Sequence, residues 1–166
     1  MQRPRRTVAY PTWQDMMSKA VGTLEAACHC ATLFDDAGAI DEGGLRQHLR
    51  RMVAAGVGVV VGTPGAGEGQ ALSEAELARV VAIAKSECGS VVPVRAVARE
   101  AHDARGTARS ARAAAAAGAD AVGIFPLQGG HGMVPTLAEQ VTYYRAVLGS
   151  VDGPLGLVLH LSLIHI

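Results

Sequence analysis

From Gly56 to Glu76 the chain reads GVGVVVGTPGAGEGQALSEAE: an apolar run, a glycine-rich turn, and a helix start. Val57–Val61 is almost unbroken in apolar character, as expected of a strand whose sheet is covered on both faces. Ser73-Glu74-Ala75-Glu76 is a capping box, with the serine closing the first turn and Glu76 reaching back to it. A strand, a tight loop and a capped helix thus follow one another within about twenty residues. In α/β proteins a loop in that position, at the C-terminal end of a strand, is where the chemistry is kept.

The same alternation recurs at roughly thirty-residue intervals. Residues 1–21 read as an N-terminal extension. An apolar stretch near Leu24–Ala31 leads to the turn Asp35-Asp36-Ala37-Gly38. Asp41–Ala55 then places Leu45, Leu49, Met52 and Val53 on one helical face, and Gly56 ends it. The helix opened by Ser73 carries Leu77, Val80, Val81 and Ala84 and stops at Cys88-Gly89. Val91–Val97 is a further strand, with Pro93 marking an early or irregular position in it. Thr107–Ala117 is an alanine-rich helix stopped by Gly118, and Ala121–Phe125 is the next strand. After the glycine-rich loop Pro126–Pro135, Thr136-Leu137-Ala138-Glu139 forms a second capping box. The helix it opens carries Val141, Tyr144, Ala146, Val147 and Leu148, and Pro154–His160 is the last strand. Strand–helix repetition of this kind means βαβ units and a parallel sheet, closed either as an open doubly wound sheet or as a (β/α)₈ barrel.

Composition narrows the function. Apolar residues make up 49% of the chain, enough for a core, and the formal net charge is zero. That balance gives no electrostatic support for binding nucleic acid or a membrane surface. No run is long and apolar enough to cross a bilayer, and the basic start MQRPRRTVAYPTWQDMMSKAVG lacks the apolar centre of a signal peptide. Cys28, Cys30 and Cys88 form no disulfide framework, as suits a cytoplasmic protein. Cys28-His29-Cys30 is not read as a metal site, because in a strand residues 28 and 30 point one way and His29 the other. A half-buried strand is expected there. The glycines of Gly62–Gly69 do not match a dinucleotide fingerprint, since Gly65-Ala66-Gly67 leads through Glu68, whose charge would repel a pyrophosphate. No Gly-Lys-Ser/Thr phosphate loop is present either, and no cofactor is expected.

Several segments, in order, resemble the dihydrodipicolinate synthase/N-acetylneuraminate lyase family over roughly residues 22 to 160. Gly22-Thr23-Leu24 and Ala31-Thr32-Leu33-Phe34 resemble that family's first strand and its Thr-Pro-Phe. Asp36 through Leu45, with Ile40-Asp41, resembles the entry to its first helix, and Gly56-Val57 opens its second strand. Gly67-Glu68, Leu72-Ser73 and Glu76 align with the end of Gly-Thr-Thr-Gly-Glu and its Leu-Ser/Thr-x-x-Glu continuation. Gly118-Ala119-Asp120-Ala121 matches the family's Gly-Ala-Asp-Ala before the fourth strand. The resemblance implies a partial (β/α)₈ barrel, about the first five strands with their helices. It also implies a homo-oligomeric lyase of the aldolase type that binds a small, pyruvate-like 2-keto acid as a Schiff base on a lysine.

The same alignment shows departures. The family's threonine pair, which hydrogen-bonds the keto-acid carboxylate, falls on Gly65 and Ala66. Substrate binding at Gly65, Ala66 and Gly67 would then rely on backbone N–H groups. Glu68 is expected to accept hydrogen bonds from neighbouring loop N–H groups, as a structural residue of the site. Pro126-Leu127-Gln128 stands where relatives have Pro-Tyr-Tyr, which removes the phenols of their proton relay. His131, on the same loop, is a candidate acid–base substitute, or else an exposed loop histidine among glycines. His160 falls beside the position of the family's catalytic tyrosine. The lysines are Lys19, in the extension, and Lys85, late in a surface helix, and neither is placed to offer a barrel mouth a desolvated amine. The Schiff-base lysine is therefore expected beyond this chain, which as it stands is expected to be an inactive N-terminal fragment.

The last six residues, Leu161 to Ile166, read LSLIHI, the in-frame translation of CTGTCTCTTATACACATC, the start of a common transposon sequencing adapter. They are expected to be non-native, in contrast to an ordinary apolar strand end. A diverged, non-catalytic or regulatory barrel of the same family is the alternative function, since both the threonine and tyrosine pairs are altered. An open-sheet protein unrelated to aldolases would need a ligand motif at a switch point, and the sequence has none. Five strands of an eight-strand ring leave two open edges and uncovered apolar surface. The polypeptide alone is therefore predicted to be insoluble, dimeric through its edges, or molten. Sedimentation and calorimetry check this, and a monodisperse, cooperatively melting monomer would count against it.

Overall fold

The computed structural model describes residues 26–89, 91–99, 101–127, 134–151 and 156–159, the last of these as backbone alone. The strands are β1 (Ala27–His29), β2 (Gly58–Val61), β3 (Val94–Val97), β4 (Ala121–Ile124) and β5 (Gly156–Leu159). The helices are α1 (Glu42–Ala54), α2 (Glu74–Cys88), α3 (Ala104–Ala116) and α4 (Leu137–Leu148). All four strand pairings are parallel, and the sheet order is β1-β2-β3-β4-β5.

That order decides between the two closures. A doubly wound sheet reverses its strand order at a switch point and carries helices on both faces. Here each strand lies next to its predecessor, and α1 packs on α2, α2 on α3 and α3 on α4. The helices therefore form one layer, and the sheet is an arc of a (β/α) barrel.

The core lies between sheet and helices. Val59 and Val61 of β2, Val94 and Ala96 of β3, and Val122 and Ile124 of β4 are all 0–1% exposed. All but Ile124 meet Leu45 and Leu49 of α1, Leu77, Val80, Val81 and Ala84 of α2, and Ala111 and Ala114 of α3, whereas Ile124 packs with Ala108, Tyr143 and Val147. Each fully buried valine or leucine adds about 1.5–3 kcal/mol. Alanine in α3 gives up part of that gain but lets the helix approach the strands closely. On the other face Val60, Arg95 and Ala121 share one register level and are half-buried, which is the inward face of the arc.

Helix starts follow the expected local chemistry. Ser73 Oγ accepts from Glu76 N–H at 3.2 Å while Glu76 accepts from Ser73 N–H at 2.7 Å, and Thr136 and Glu139 repeat the arrangement. The hydrogen bonds from Ser73 hold the Glu76 carboxyl below its ordinary range. Across the helix layer, Glu87 of α2 accepts from Arg46 Nη1 and Arg50 Nε of α1, both at 2.7 Å, and Glu42 pairs with Arg79. In the turn before α1, Asp35 Oδ1 accepts from the N–H groups of Ala37 and Ala39.

Three expectations are corrected. α3 begins at Ala104, not Thr107, because Asp103 caps it by accepting from Gly106 N–H at 2.7 Å, so the helix tolerates its early glycine. β3 begins at Val94, not Val91: Pro93 has no N–H to give, its carbonyl accepts from Val59, and Val91 is 73% exposed. α4 buries Tyr143 and Val147, whereas Val141 and Leu148 stay exposed, because α4 meets α3 through the Tyr143 side of the helix. In Cys28-His29-Cys30 only Cys30 is buried, since the core reaches the end of β1 and not its start. Burial pushes the Cys30 thiol up to about 12.

Asp120 ties the N-terminal ends of β3 and β4 together. Its Oδ2 accepts from Val94 N–H at 2.8 Å and its Oδ1 from Lys85 Nζ at 2.6 Å. Burial alone would raise this carboxyl, but the Lys85 ammonium and the Val94 amide outweigh it and hold it below its ordinary 3.8. Asp120→Ala is predicted to cost about 1–2 kcal/mol, mostly through the stranded Val94 amide, because the half-exposed ion pair contributes little. Since the folded carboxyl is the stronger acid, its stabilisation is complete above the ordinary value and is lost as pH falls through the lower folded one. Urea midpoints of both proteins between neutral and strongly acidic pH check this, with the difference narrowing on acidification.

Candidate functional site

The loop after β2 is built around Thr63, the second residue past the strand. Its side chain is buried, and Oγ1 accepts from Gly67 N–H at 3.0 Å. The Thr63 carbonyl accepts from Gly69 N–H at 3.0 Å. From the tip of β1, Thr32 Oγ1 donates to the Gly67 carbonyl at 2.7 Å. The two threonines thus tie the tips of adjacent strands to one residue of the loop, Gly67. The fold back is so tight that a Cβ on Gly67 would stand 2.6 Å from Thr63 N, and one on Gly69 would collide with the Gly62 carbonyl. Beyond the turn Leu72 is buried and seats the loop on the core.

This leaves Gly65 and Ala66 exposed at the apex. Among the described residues neither N–H has a hydrogen-bond partner. Gly67, expected beside them as a ligand residue, is buried, and both its N–H and its carbonyl are taken by threonine hydroxyls. Glu68 is exposed, and it is its backbone that serves the loop: its N–H donates to Gly65 at 3.3 Å and its carbonyl accepts from Ala71 at 2.8 Å. At φ 49 its backbone occupies the left-handed region, which closes the turn.

The tips of β3 and β4 complete the rim. Arg99 N–H donates to Ser110 Oγ of α3 at 2.8 Å. Leu127 is clamped to α4 by Gln140, which accepts from its N–H at 2.9 Å and donates to its carbonyl at 2.8 Å. Tyr143 of α4 donates to Thr107 Oγ1 of α3 at 3.0 Å in a buried contact. A cavity of about 540 Å³ opens here, with Gln70 and Glu74 from the β2 side, Arg99, His102 and Arg109 across it, and Phe125 at the β4 tip.

Lys85 sits at the opposite end of the sheet, on Asp120 before β4, and cannot reach the strand tips. Lys19, His131 and His160 lie outside the described residues. Among the described residues, no three His, Cys, Asp or Glu side chains group as metal ligands, and no helix is long and apolar enough to cross a membrane. Thr32 and Thr63 are the residues that sequence reading did not assign to the site. The available signal was a hydroxyl residue just past an apolar strand.

A one-layer helix cover, sequential parallel strands and a hydroxyl-locked loop at the strand tips define an arc of a (β/α) barrel. The chain belongs to the dihydrodipicolinate synthetase family, whose model matches residues 24–157. Among curated proteins, a probable 5-dehydro-4-deoxyglucarate dehydratase of Streptomyces avermitilis is 41% identical over 95 residues, 57% of this chain and 28% of the relative. One from an Arthrobacter species is 39% identical over the same length, covering 31% of that protein. Among solved structures, a dihydrodipicolinate synthase of Acinetobacter baumannii complexed with pyruvate superposes with a TM-score of 0.73 at 22% identity. That match covers 81% of this chain and 44% of the synthase. A sialic acid aldolase of Ruminococcus gnavus gives 0.69 at 21% identity, covering 81% and 44%. The chain therefore spans less than half the length of these relatives.

Thr63→Val keeps the shape and removes the acceptor for a buried N–H. It is predicted to cost about 1–3 kcal/mol. Chemical denaturation checks the magnitude, and faster hydrogen exchange at Gly67 alone among the loop amides checks the cause.

Proposed function

We propose that this chain is the N-terminal part of a lyase that acts on a 2-keto acid through a lysine Schiff base. The observation that carries the reading is the pair of unpartnered N–H groups on Gly65 and Ala66, at a strand tip of a barrel in this family. Two adjacent backbone donors suit a carboxylate. They replace by main chain what hydroxyl side chains would otherwise supply, and Thr63 and Thr32 keep them in place. The curated relatives carry the name of a dehydratase for 5-dehydro-4-deoxyglucarate, so the reading extends to keto sugar acids.

In this reading a lysine outside the present sequence attacks the keto carbon and expels its oxygen as water. The resulting iminium withdraws electrons from the neighbouring carbon. A proton can then leave that carbon, and a hydroxyl beyond it departs, or a carbon–carbon bond forms or breaks. One of the solved relatives, the Ruminococcus aldolase, is also described as a catalytic lysine mutant, in keeping with that assignment. The reading places the enzyme in the cytoplasm, as a homo-oligomer that needs no cofactor.

A second reading, a diverged, non-catalytic or regulatory barrel, is favoured by one observation. Gly65, Ala66 and Leu127 all lack the hydroxyls found at the corresponding family positions.

Borohydride reduction in the presence of pyruvate separates the two. The protein expressed from its complete reading frame is expected to gain a reduced pyruvate adduct on a lysine other than Lys85, seen by peptide mass spectrometry. The absence of any adduct would favour the regulatory reading.

A further inference from the structure

The cavity at the tips of β3 and β4 has no part in the loop chemistry described so far. Its acidic side chains already have partners. Asp103 caps α3 through Gly106 N–H at 2.7 Å, and Glu74 pairs with Arg109 Nε at 3.5 Å. Arg99 differs. It is exposed, and among the described residues its guanidinium has no ion pair and no hydrogen bond. Yet its main chain is held, since its N–H donates to Ser110 Oγ at 2.8 Å and Ser110 is 1% exposed. A cation on an anchored backbone, over a cavity of about 540 Å³ with a second basic residue, His102, on its wall, is suited to an anion. Phe125 and Pro126 provide an apolar wall for a short carbon chain. The cavity also adjoins the β2 loop, because Gln70 and Glu74 line it from only a few residues past Gly67.

We propose that Arg99 is the specificity-determining cation of a second carboxylate subsite, which takes the far carboxylate of a dicarboxylic 2-keto acid. The assignment rests on the keto-acid reading for the first carboxylate, held at Gly65 and Ala66. The second carboxylate is bound at the β3 tip by the planar guanidinium, which offers two parallel N–H donors. A monocarboxylic keto acid such as pyruvate would leave this subsite empty.

The test uses the protein from its complete reading frame, with titration calorimetry of three probes: pyruvate, 2-oxoglutarate and glutarate. 2-Oxoglutarate is expected to bind at least roughly ten-fold more tightly than pyruvate, as a charge-assisted pair would give. Arg99→Gln is expected to remove that advantage and leave pyruvate binding unchanged, while Arg99→Lys retains part of it. Glutarate has no keto group, so its Arg99-dependent binding reports the subsite independently of Schiff-base chemistry. Equal affinities for the two keto acids, or an advantage that survives Arg99→Gln, would overturn the proposal. So would glutarate and pyruvate binding together without competition, since one substrate could not then span both positions. If pyruvate fails to bind and glutarate still binds through Arg99, the keto-acid reading fails and the carboxylate subsite stands.

Discussion

The structure depends on a parallel hydrogen-bond ladder laid down in chain order. Because each strand pairs with its immediate predecessor, every connection must cross on the same side. The helices are thereby forced into one layer, and each packs only on its sequence neighbours. One face of the sheet is then dry and the other turns inward. Val61, Ala96 and Val122 share one level and are buried on the helix side, while Val60, Arg95 and Ala121, one level before them, are only half-covered. All strands also end at the same side of the sheet, so the loops after β2, β3 and β4 share one rim.

The two ends of the sheet do different work. At the N-terminal end, Asp120 and Lys85 stitch α2, β3 and β4 together with charge and a main-chain contact. At the C-terminal end the stitching is neutral: Thr32 and Thr63 hold the β2 loop, Ser110 the β3 loop and Gln140 the β4 loop. Neutral anchors leave the rim's charge to Arg99, to His102 and to the pair of Arg109 with Glu74. Hydroxyls and amides also satisfy loop peptides without filling the space a ligand needs. The glycines at 67 and 69 serve the same end, since any side chain there would collide with the turn.

Much of the fold was legible because it is written in local chemistry. Capping boxes at Ser73 and Thr136 mark helix starts to the residue, since the hydroxyl and the carboxylate three positions on have few other uses in that spacing. Valine runs mark β2, and glycines mark helix ends. Where reading went astray, a tertiary contact outweighed a local pattern. α4 has an apolar stripe through Val141 and Leu148, but its contact with Thr107 turns Tyr143 inward instead. The alanine-rich pattern marks α3 only from Thr107, and the cap that Asp103 makes on Gly106 N–H carries the helix back to Ala104.

The site divides along the same line. From residue order alone came the family and the loop at the β2 tip, because these are questions of which residues occur and at what spacing. The hydroxyls that lock the loop, the exposure of Gly65 and Ala66, and the contrast between Arg99 and the paired charges around it came only with the folded chain. Thr32 and Gly67 are 35 positions apart in sequence, and no spacing rule joins them. Neighbouring strands bring them within hydrogen-bond reach, and such a meeting is a property of the assembled sheet rather than of any segment in it.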